Sequence, residues 1–324
     1  MDKKINLLIT GGAGFIGSNL VEHFLEDDRV GLVRVLDNLS NGYIENIQEF
    51  FDHPRFEFIK GDIRDYDTCL KACEGIHKIS HQAALGSVPR SIQDPMQSTE
   101  VNILGTVNLM FAAVQQKVER MILAFSSSTY GDHPDLPKVE ENIGNPLSPY
   151  AVTKAAIEQF ANVFGKTYGL QWIGLRYFNV FGPKQNPNNP YAAVIPIFVN
   201  AMINDYPIKI NGDGETSRDF TFVSNVVKMN KLALETKSEA AMNKVYNTAC
   251  SDSISLNSLA SMIEEIADKK FHFVEYSTER KGDVKHSLAD ISKAKNLLDY
   301  HVETNFKMGL KLTYDWIKNN KSGH

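Results

Sequence analysis

Three glycines at a fixed spacing follow the first apolar run of the chain, and they constrain its fold more than any other feature. Residues 5–9 form the run, and Gly11, Gly14 and Gly17 then give the spacing G-x-x-G-x-x-G. In a strand–turn–helix unit such glycines make a tight turn, let the backbone approach a pyrophosphate, and bring the helix against the strand. An apolar stripe over residues 15–27 supplies the helix, whose N-terminus points free N–H groups at phosphate. The pattern therefore predicts a dinucleotide-binding βαβ unit.

A carboxylate at the end of the next apolar run indicates which dinucleotide is bound. Residues 33–36 form that run, and Asp37 closes it twenty positions beyond Gly17. An acidic side chain at this distance accepts hydrogen bonds from the adenosine ribose and repels a 2′-phosphate. Since no arginine follows Asp37 directly, the sequence favours NAD over NADP.

Strands and helices alternate through the first half of the chain. Further strands are predicted at residues 56–59, 76–80, 121–125 and 171–176, with a long helix over 95–116 and another around Tyr150. This alternation predicts an α/β fold with a doubly wound parallel sheet of the Rossmann type. Because ligands bind such sheets at the carboxyl ends of the strands, one crevice should collect the residues found there. These residues are Asp37, Asp62, Gln82 and Ser126.

After residue 178 the pattern changes and predicts a smaller C-terminal substrate-binding lobe that closes over the crevice. Its predicted parts are a loop over 183–190, a tight turn at 211–214, an amphipathic helix after 217–220, a capped helix over 255–270, a strand at 271–274 and terminal helices. We expect the NAD-binding domain to comprise residues 1–177 plus about 217–247. The lobe would comprise about 178–216 plus 248–324.

Tyr150 and Lys154 lie one helical turn apart, about two dozen residues after a run of three serines, 126–128. A free tyrosine has a pKa of about 10 and is a poor base at neutral pH. A neighbouring ammonium and a positively charged nicotinamide both favour the phenolate, so Tyr150 can take a hydroxyl proton as hydride leaves the same carbon. One hydroxyl of the serine run would hydrogen-bond the substrate oxygen, and Lys154 would also hold the nicotinamide ribose. The sequence thus predicts proton chemistry beside a nicotinamide.

Charge and composition exclude several classes of protein. The formal net charge of −5, with 34 Lys and Arg against 39 Asp and Glu, gives no basic footprint for nucleic acid. No apolar stretch approaches the ~18–20 residues of a membrane span, and residues 1–4 do not begin a signal peptide. Cys69, Cys73 and Cys250 are expected to be reduced thiols and not metal ligands. We therefore expect a cytoplasmic enzyme without a metal, a nucleic-acid partner or a membrane anchor.

Several further motifs are spread over nearly the whole chain. They are residues 37–40, 61–65, 81–84, 176–183, 211–214, 217–220 and 280–283. Together with the glycine turn and the Tyr150/Lys154 pair, they resemble the extended short-chain dehydrogenase/reductases, and within them the UDP-hexose 4-epimerases. Residues 85–91 and 126–134 are most similar to bacterial UDP-N-acetylglucosamine 4-epimerases of surface-polysaccharide synthesis.

This resemblance implies an NAD-dependent isomerase that interconverts UDP-N-acetylglucosamine and UDP-N-acetylgalactosamine through a 4-keto intermediate. It implies Ser126 as the catalytic hydroxyl beside Tyr150 and Lys154, with Ser127 and Ser128 as alternatives. The implied cofactor contacts are Gly11, Gly14, Phe15, Ile16, Gly17, Asp37, Asn38, Ser40, Gly42, Asp62, Ile63, Gln82, Ala83, Ala84, Tyr150, Lys154 and Tyr177.

The same resemblance implies a set of substrate contacts. Asn179, Arg218 and Arg280 would hold the UDP diphosphate, a task that suits the bidentate fork of arginine. Val194 and Asn211 would line the uracil and ribose pocket. The remaining implied contacts, which face the sugar or flank it, are Ser87, Arg90, Ser126, Ser127, Ser128, Tyr150, Asp283 and Ser287. Ser287 should admit the N-acetyl group, because similar proteins restricted to UDP-glucose carry a bulky tyrosine there.

Alternative functions make different demands on the sequence. The uronic acid of UDP-N-acetylglucosamine and plain UDP-glucose remain alternative substrates. A sugar-nucleotide 4,6-dehydratase needs an Asp-Glu pair after the catalytic hydroxyl, where this chain has Ser127 and Ser128. A non-catalytic NAD-sensing module is disfavoured by the intact Tyr150/Lys154 pair. The family also implies a homodimer formed through the helices near residues 95–116 and 148–169.

Overall fold

Strands and helices alternate through residues 4–187, 192–278 and 285–320, which the computed structural model describes. The strands are β1 (Ile5–Thr10), β2 (Val30–Asp37), β3 (Phe56–Lys60), β4 (Lys78–His81), β5 (Arg120–Ser126), β6 (Trp172–Tyr177), β7 (Val180–Phe181), β8 (Ile208–Asn211), β9 (Ser217–Arg218), β10 (Thr221–Phe222), β11 (Lys244–Thr248), β12 (Ile254–Ser255) and β13 (Val274–Ser277). The α-helices are α1 (Phe15–Glu26), α2 (Tyr66–Ala72), α3 (Val88–Gln93), α4 (Pro95–Thr99), α5 (Thr106–Gln115), α6 (Pro149–Tyr168), α7 (Val194–Asn204), α8 (Val223–Glu235), α9 (Leu256–Ala267), α10 (Ser292–Leu298) and α11 (Phe306–Asn319).

A seven-stranded sheet in the order β11-β6-β5-β4-β1-β2-β3 forms the centre of the molecule. Every neighbouring pair in it is parallel. The strand order reverses between β1 and β4, so the carboxyl ends of these two strands open a crevice at the topological switch point. The predicted α/β fold with a doubly wound parallel sheet is confirmed. After α8 the chain returns to this sheet and adds β11 beside β6.

Close contact between the glycine turn and its surroundings fixes how α1 leaves β1. Gly11 has a left-handed backbone (φ 67°), and a Cβ there would lie 2.7 Å from the backbone nitrogen of Ala83. A Cβ on Gly17 would lie 2.1 Å from the carbonyl oxygen of Gly11. Only glycine allows α1 to start this close to the strand, and its apolar stripe then packs on the sheet through Leu20, Val21, Phe24 and Leu25.

The predicted helix over 95–116 is a single stretch with a π-helical turn in its middle. The helix α4 continues through the π-helix Glu100–Gly105 into α5. The side chain of Asn102, in the π turn, accepts from the backbone of Leu85 at 2.8 Å and donates to Thr153 Oγ1 at 3.1 Å. The turn thus ties the loop after β4 to the helix α6, which carries Tyr150 and Lys154.

Three predicted boundaries were wrong, each because the local backbone or a local hydrogen bond ends the element at another residue. Residue 76 ends a turn by donating to the Cys73 carbonyl, so β4 starts at Lys78 instead of residue 76. The strand predicted at 271–274 begins only at Val274, where β13 starts to pair with β8, because the Phe271 N–H donates to the Glu264 carboxylate instead of to a strand. The helix predicted over 255–270 begins after its Ser255 cap but ends at Ala267, where Asp268 adopts a left-handed conformation.

The smaller lobe has its own apolar core beside the sheet. Short strand pairs β7–β10, β8–β13 and β9–β12 and the helices α7, α9 and α11 form it. A cluster of phenylalanines, Phe181, Phe220, Phe222 and Phe306, joins the strands to α11. Within the described ranges, no helix combines the length and apolarity that crossing a membrane requires.

Candidate active site

A first cavity of about 350 Å³ follows the glycine turn along the carboxyl ends of the central strands. Most of the predicted cofactor residues line it, namely Gly11, Gly14, Phe15, Ile16, Gly17, Asp37, Asn38, Ser40, Gly42, Asp62, Ile63, Gln82, Ala83 and Ala84. The other three, Tyr150, Lys154 and Tyr177, line a second cavity.

The N-terminus of α1 opens into the first cavity and suits a diphosphate. Gly14 is the N-cap and makes no side-chain cap, and the first turn contains no acidic residue. The first N–H groups of a helix have no acceptor within the helix, and the helix dipole places partial positive charge there. The uncapped end therefore offers N–H donors at the position where a dinucleotide's pyrophosphate binds.

Two carboxylates line the part of this cavity where the sequence predicts the adenosine ribose. Asp37 accepts from the backbone N–H groups of Ala13 at 3.0 Å and Leu39 at 2.8 Å, while its burial raises the pKa of the carboxyl above its usual value. Asp62 accepts from Asn38 at 2.8 Å, and its bonds to Arg64 lower the pKa of Asp62 to about 2. Since Asp62 is ionised at neutral pH, this end of the cavity disfavours an additional 2′-phosphate.

The second cavity, of about 830 Å³, adjoins the first. The two share Ile16, Gln82, Ala84 and Gly86 in their linings. Among the predicted catalytic and substrate residues, the second cavity is lined by Ser126, Ser127, Ser128, Tyr150, Lys154, Asn179, Arg218 and Ser287. A ligand in the first cavity and a ligand in the second would therefore meet beside Tyr150 and Lys154.

Tyr150 occupies the first turn of α6, which starts directly at the cavity wall. Ser148 caps the helix by accepting from the Ala151 N–H at 3.1 Å, and the backbone N–H of Tyr150 donates to Ser91 Oγ at 3.0 Å. Burial raises the pKa of the Tyr150 phenol, and a hydrogen bond to Ser126 opposes that rise. The sequence led us to expect that Lys154 lowers the pKa of Tyr150. In the protein alone, burial has the larger effect and raises this pKa.

Lys154 is only 4% exposed and lies under the ring of Tyr150, with Nζ 5.9 Å from the ring centroid. Its ammonium donates to the carbonyl oxygen of Ala124 at 2.8 Å. Burial lowers the pKa of Lys154 to about 8, although Glu158 one turn further along the helix opposes this. Glu158 itself is held by Arg176 in a buried bidentate pair at 2.9 and 2.7 Å.

The serine run divides into three different environments. Ser126 is the residue of this run that lowers the pKa of the Tyr150 phenol, and its Oγ accepts from the Ser128 N–H at 3.2 Å to cap a short 3-10 turn. Ser127 and Ser128 line the cavity, and the buried Ser128 Oγ has no hydrogen-bond partner among the described residues. Of the three alternatives, the geometry favours Ser126 for the catalytic hydroxyl.

A buried polar network that the sequence did not reveal supports the junction of the two cavities. The Tyr177 hydroxyl donates to Gln82 Oε1 at 3.1 Å and accepts from Asn230 Nδ2 at 2.9 Å. Ser80 Oγ donates to Asn230 Oδ1 at 2.9 Å. The sequence feature that could have indicated this network is an asparagine on the apolar face of the amphipathic helix α8. This residue, Asn230, has no exposed surface.

The substrate residues that line the second cavity come from three separate segments. Asn179 has a left-handed backbone (φ 35°) and donates through Nδ2 to the Asp219 carbonyl at 3.0 Å. Arg218 follows on β9 and donates to the Ser217 carbonyl at 2.9 Å. The Ser287 N–H donates to that same carbonyl at 3.1 Å, which places Ser287 beside Arg218.

Four other predicted substrate residues, which the structure does describe, do not line either cavity. Ser87 Oγ caps α3, and Arg90 reaches toward Asn41 at 3.4 Å. Val194 packs against the core of the smaller lobe, and Asn211 accepts from Ser277 Oγ at 3.0 Å. Roles for these four stay predictions, and Arg280 and Asp283 lie outside the described residues.

Known proteins with similar sequences and structures share this architecture. The sequence model of the family described as GDP-mannose 4,6 dehydratase matches residues 8–313. The UDP-N-acetylglucosamine 4-epimerase of Methanobrevibacter ruminantium, solved with UDP-N-acetylmuramic acid, is 38% identical, with a TM-score of 0.92 over 98% of this chain and 99% of that one. The UDP-glucuronic acid 4-epimerase of Bacillus cereus, solved with UDP-glucuronic acid and NAD, is 32% identical, with a TM-score of 0.90 over 97% of this chain and 99% of that one.

A curated relative extends the comparison to a third sugar. The UDP-glucose 4-epimerase of Mycolicibacterium smegmatis is 35% identical over 314 residues, which cover 96% of this chain and 98% of the relative. The family match spans most of the chain, and these relatives span nearly all of it at more than 30% identity. The chain therefore belongs to the extended short-chain dehydrogenase/reductases, in the group that includes the UDP-hexose 4-epimerases.

Proposed function

We propose that this protein is an NAD-dependent 4-epimerase of UDP-N-acetylhexosamines. The observation that carries the proposal is the placement of Tyr150 over Lys154 and against Ser126, where a cavity that fits a dinucleotide meets a larger cavity lined by Arg218 and Asn179. An acid–base tyrosine at such a junction can act on a hydroxyl of a bound sugar.

The residues around the first cavity fit NAD. The uncapped α1 N-terminus would hold the pyrophosphate, Asp37 the adenosine ribose, and Lys154 the nicotinamide ribose. When bound there, NAD supplies reversible uptake of hydride from the sugar carbon. Because epimerisation involves no net oxidation, we expect NAD to stay bound through the cycle and to copurify with the protein.

The side chains of this chain perform the remaining steps. Tyr150 accepts the proton of the sugar 4-hydroxyl, and Ser126 donates a hydrogen bond to the same oxygen as it becomes a carbonyl. Arg218 and Asn179 hold the diphosphate while the 4-keto hexose turns over in a cavity of about 830 Å³. Tyr150 then returns the proton to the oxygen on the opposite face of the ring.

The small side chain of Ser287 favours a 2-acetamido sugar. It lines the cavity beside Arg218, and a hydroxymethyl group there leaves room that a tyrosine would fill. The similarity to a UDP-N-acetylglucosamine 4-epimerase supports this choice. UDP-glucose and UDP-glucuronic acid, handled by other relatives, are the alternative substrates.

A 4,6-dehydratase is the alternative reaction, since the matching family is described by that activity. Elimination of water between C5 and C6 needs a second acid–base pair near C6. Among the described residues, no Asp or Glu lines the second cavity, and Ser127 and Ser128 follow the catalytic serine. The cavity wall therefore favours epimerisation.

We further propose that a second copy of the chain covers the outer face of α4, the π turn, α5 and α6. These segments pack side by side, and their outward residues form an apolar surface. Met96 is 71% exposed and Val163 53%, and Leu104 and Val152 are exposed with them. Such a patch on a charged protein marks an association site. Light scattering should give twice the chain mass, and Val163→Glu should shift it toward the monomer.

The proposed reaction is tested by incubating the purified protein with UDP-N-acetylglucosamine, without added NAD, and separating the two epimers. We expect an equilibrium mixture with UDP-N-acetylgalactosamine, and a roughly 10²–10⁴-fold slower formation of the epimer with Tyr150→Phe. A protein that carries NAD but leaves UDP-N-acetylglucosamine, UDP-glucose and UDP-glucuronic acid all unchanged would contradict the proposal.

The intact cysteine thiols are consistent with the expected cytoplasmic location.

A further inference from the structure

Helix α6 carries a third ionisable side chain behind Tyr150 and Lys154. Glu158 lies one turn beyond Lys154, and the two residues are 5% and 4% exposed, respectively. A lysine and a glutamate four residues apart on a helix are close enough to form an ion pair. Among the described residues, however, the ammonium of Lys154 forms no ion pair, and it donates instead to the Ala124 carbonyl.

Arg176 on β6 explains why this ion pair does not form. Its Nε and Nη2 donate to the two carboxylate oxygens of Glu158 at 2.9 and 2.7 Å, so both oxygens are occupied. Its Nη1 donates to the Glu140 carbonyl at 2.9 Å, and its guanidinium carbon lies 4.8 Å from the centre of the Tyr130 ring. The guanidinium is therefore held by three groups, and it keeps the carboxylate in place.

The carboxylate of Glu158 still acts on Lys154 through space. Burial lowers the pKa of Lys154 to about 8, and the charge of Glu158 opposes this shift. Without a nearby anion, a buried ammonium loses its proton more readily. Glu158 thus favours the charged form of Lys154, and the proposed chemistry of Tyr150 uses that charge.

The other ionisable groups around Lys154 do not take the place of Glu158. On the surrounding segments they are Arg90 on α3, Glu100 in the π turn, His81 on β4, Tyr130 after β5, Glu140 and Tyr177 on β6. Burial lowers the pKa of His81 to about 3 and raises the pKa of both tyrosines, so these three groups are neutral at neutral pH. Glu100 is exposed to solvent, and burial raises the pKa of Glu140, which favours its neutral form.

We propose that Glu158 and Arg176 form a positioning pair for Lys154: Glu158 keeps the ammonium charged, and Arg176 prevents the carboxylate from drawing that ammonium away from Tyr150. The inference rests on the proposed function, because it assigns the pair to the acid–base chemistry of Tyr150. A pair that only stabilised the fold would lose the same contact whichever partner is replaced. The positioning pair instead predicts opposite effects on Lys154 from the two replacements.

The test follows the protonation of Lys154 directly, by NMR titration of protein with an isotopic label at the lysine Cε atoms. The proteins are used as purified, with their NAD content measured, and Lys154→Met identifies the resonance. Glu158→Gln and Arg176→Gln each break the same ion pair, and a double variant removes both charges. Arg34→Gln is the matched control, because Arg34 pairs with Glu57 at 2.9 Å in the same sheet and neither residue lines a cavity.

We expect Glu158→Gln to lower the pH at which Lys154 loses its proton by about one unit, because the ammonium loses a nearby anion and Arg176 becomes an unpaired cation. Arg176→Gln should raise that pH by about as much, since the released carboxylate then pairs directly with Lys154. The double variant should titrate below wild type, and Arg34→Gln as wild type does. Shifts of the same sign in both single variants, or no shift in either, would overturn the proposal.

Turnover tests the placement of the ammonium separately from its charge. At a pH where Lys154 is charged in each protein, Arg176→Gln should lose about 10-fold or more in kcat with little change in KM, because the displaced ammonium no longer favours the phenolate of Tyr150. The double variant should regain most of that kcat, since no carboxylate is left to draw the ammonium away. A double variant no faster than Arg176→Gln would overturn the role of Arg176.

The double variant keeps the test decisive if a single variant does not fold, because replacing both partners of a buried ion pair leaves no unpaired charge. A Lys154 that titrates in the double variant as in wild type would overturn the proposal, and a Lys154 that titrates at lower pH would support it. If no UDP-sugar is epimerised but Lys154 shifts as expected, the epimerase function fails and the positioning pair stands.

Discussion

Tyr150 and Lys154 act in surroundings that shift the pKa values of both side chains. Burial raises the pKa of the phenol and lowers that of the ammonium to about 8. Both shifts favour the neutral forms, so the protein alone holds a protonated tyrosine over a lysine that loses its charge readily. Transfer of a sugar proton to Tyr150 therefore depends on groups that stabilise the phenolate, among them the hydroxyl of Ser126 and a bound nicotinamide.

Replacement of Tyr150 by phenylalanine removes the proposed acid–base group and little else. We expect Tyr150→Phe to bind UDP-sugars nearly normally and to lose roughly 10²–10⁴-fold in kcat, the range for a positioned acid or base. Steady-state kinetics with a separate binding measurement checks this. Ser127→Ala is the control, because Ser127 lines the same cavity but, unlike Ser126, does not shift the pKa of Tyr150. Near-normal turnover of Tyr150→Phe would place the base elsewhere.

Replacement of Ser287 by tyrosine should change which sugars fit. A phenol at this position would overlap a 2-acetamido group and interfere much less with a 2-hydroxyl. We expect Ser287→Tyr to lower kcat/KM for UDP-N-acetylglucosamine relative to UDP-glucose by about 10-fold or more. Both values are measured on wild type and variant. A ratio that does not change, in a variant that still converts UDP-glucose, would remove Ser287 from the sugar pocket.

The turn between β1 and α1 is the element to which we assign cofactor binding. Its N–H groups face the first cavity because Gly14 leaves the helix uncapped and Gly17 lets the helix start against the strand. The sequence predicts this element well, since all of its determinants lie within a few residues of one another. The same holds for α6, where Ser148, Tyr150 and Lys154 share one helix.

A methyl group on Gly17 should disturb this element directly. Its Cβ would lie 2.1 Å from the Gly11 carbonyl oxygen, so the backbone of the turn must shift. We expect Gly17→Ala to purify with at least 10-fold less NAD than wild type, measured by releasing the cofactor from denatured protein. The neighbouring Ser18→Ala removes only a hydroxyl that donates to the Phe15 carbonyl and should retain NAD. A Gly17→Ala protein with near-stoichiometric NAD would contradict the assigned role of the turn.

At the scale of the whole molecule, the fold brings together residues that are far apart in the chain. Ser80 meets Asn230, and Lys138 meets the strand-like segment at 288–290, across more than a hundred residues. Such contacts have no local pattern, so the sequence did not reveal that Asn230 supports the site or that Lys138 lines the second cavity. The fold class was predictable because alternating apolar runs encode it locally. The ends of the strands were less predictable, because single hydrogen bonds decide them, such as the one from the Phe271 N–H to the Glu264 carboxylate.

The buried charge of Lys154 should cost the whole protein stability. A pKa of about 8 in the folded chain, against 10.5 for a free lysine, means that folding disfavours the ammonium. This cost is fully present below about pH 8 and disappears as the pH rises toward 10.5. With NAD removed, Lys154→Met should therefore be more stable than wild type at pH 7, by about 1–3 kcal/mol, since one pKa unit corresponds to ~1.4 kcal/mol. The difference should shrink as the pH rises to about 10.

Urea unfolding of both cofactor-free proteins across this pH range measures the effect. A Lys154→Met protein that is less stable than wild type at pH 7 would show that the bond to the Ala124 carbonyl outweighs the desolvation of the ammonium.

The reaction of UDP-N-acetylglucosamine labelled with deuterium at C4 tests the central claim most directly. The protein is used as purified, without added NAD. The sugar products are separated, and their masses are measured by mass spectrometry. If Tyr150 exchanges only the hydroxyl proton and the carbon-bound hydrogen returns to the same sugar, UDP-N-acetylgalactosamine should form with its C4 deuterium retained. Loss of the label to water, or a dehydrated 4-keto product in place of the epimer, would contradict the account.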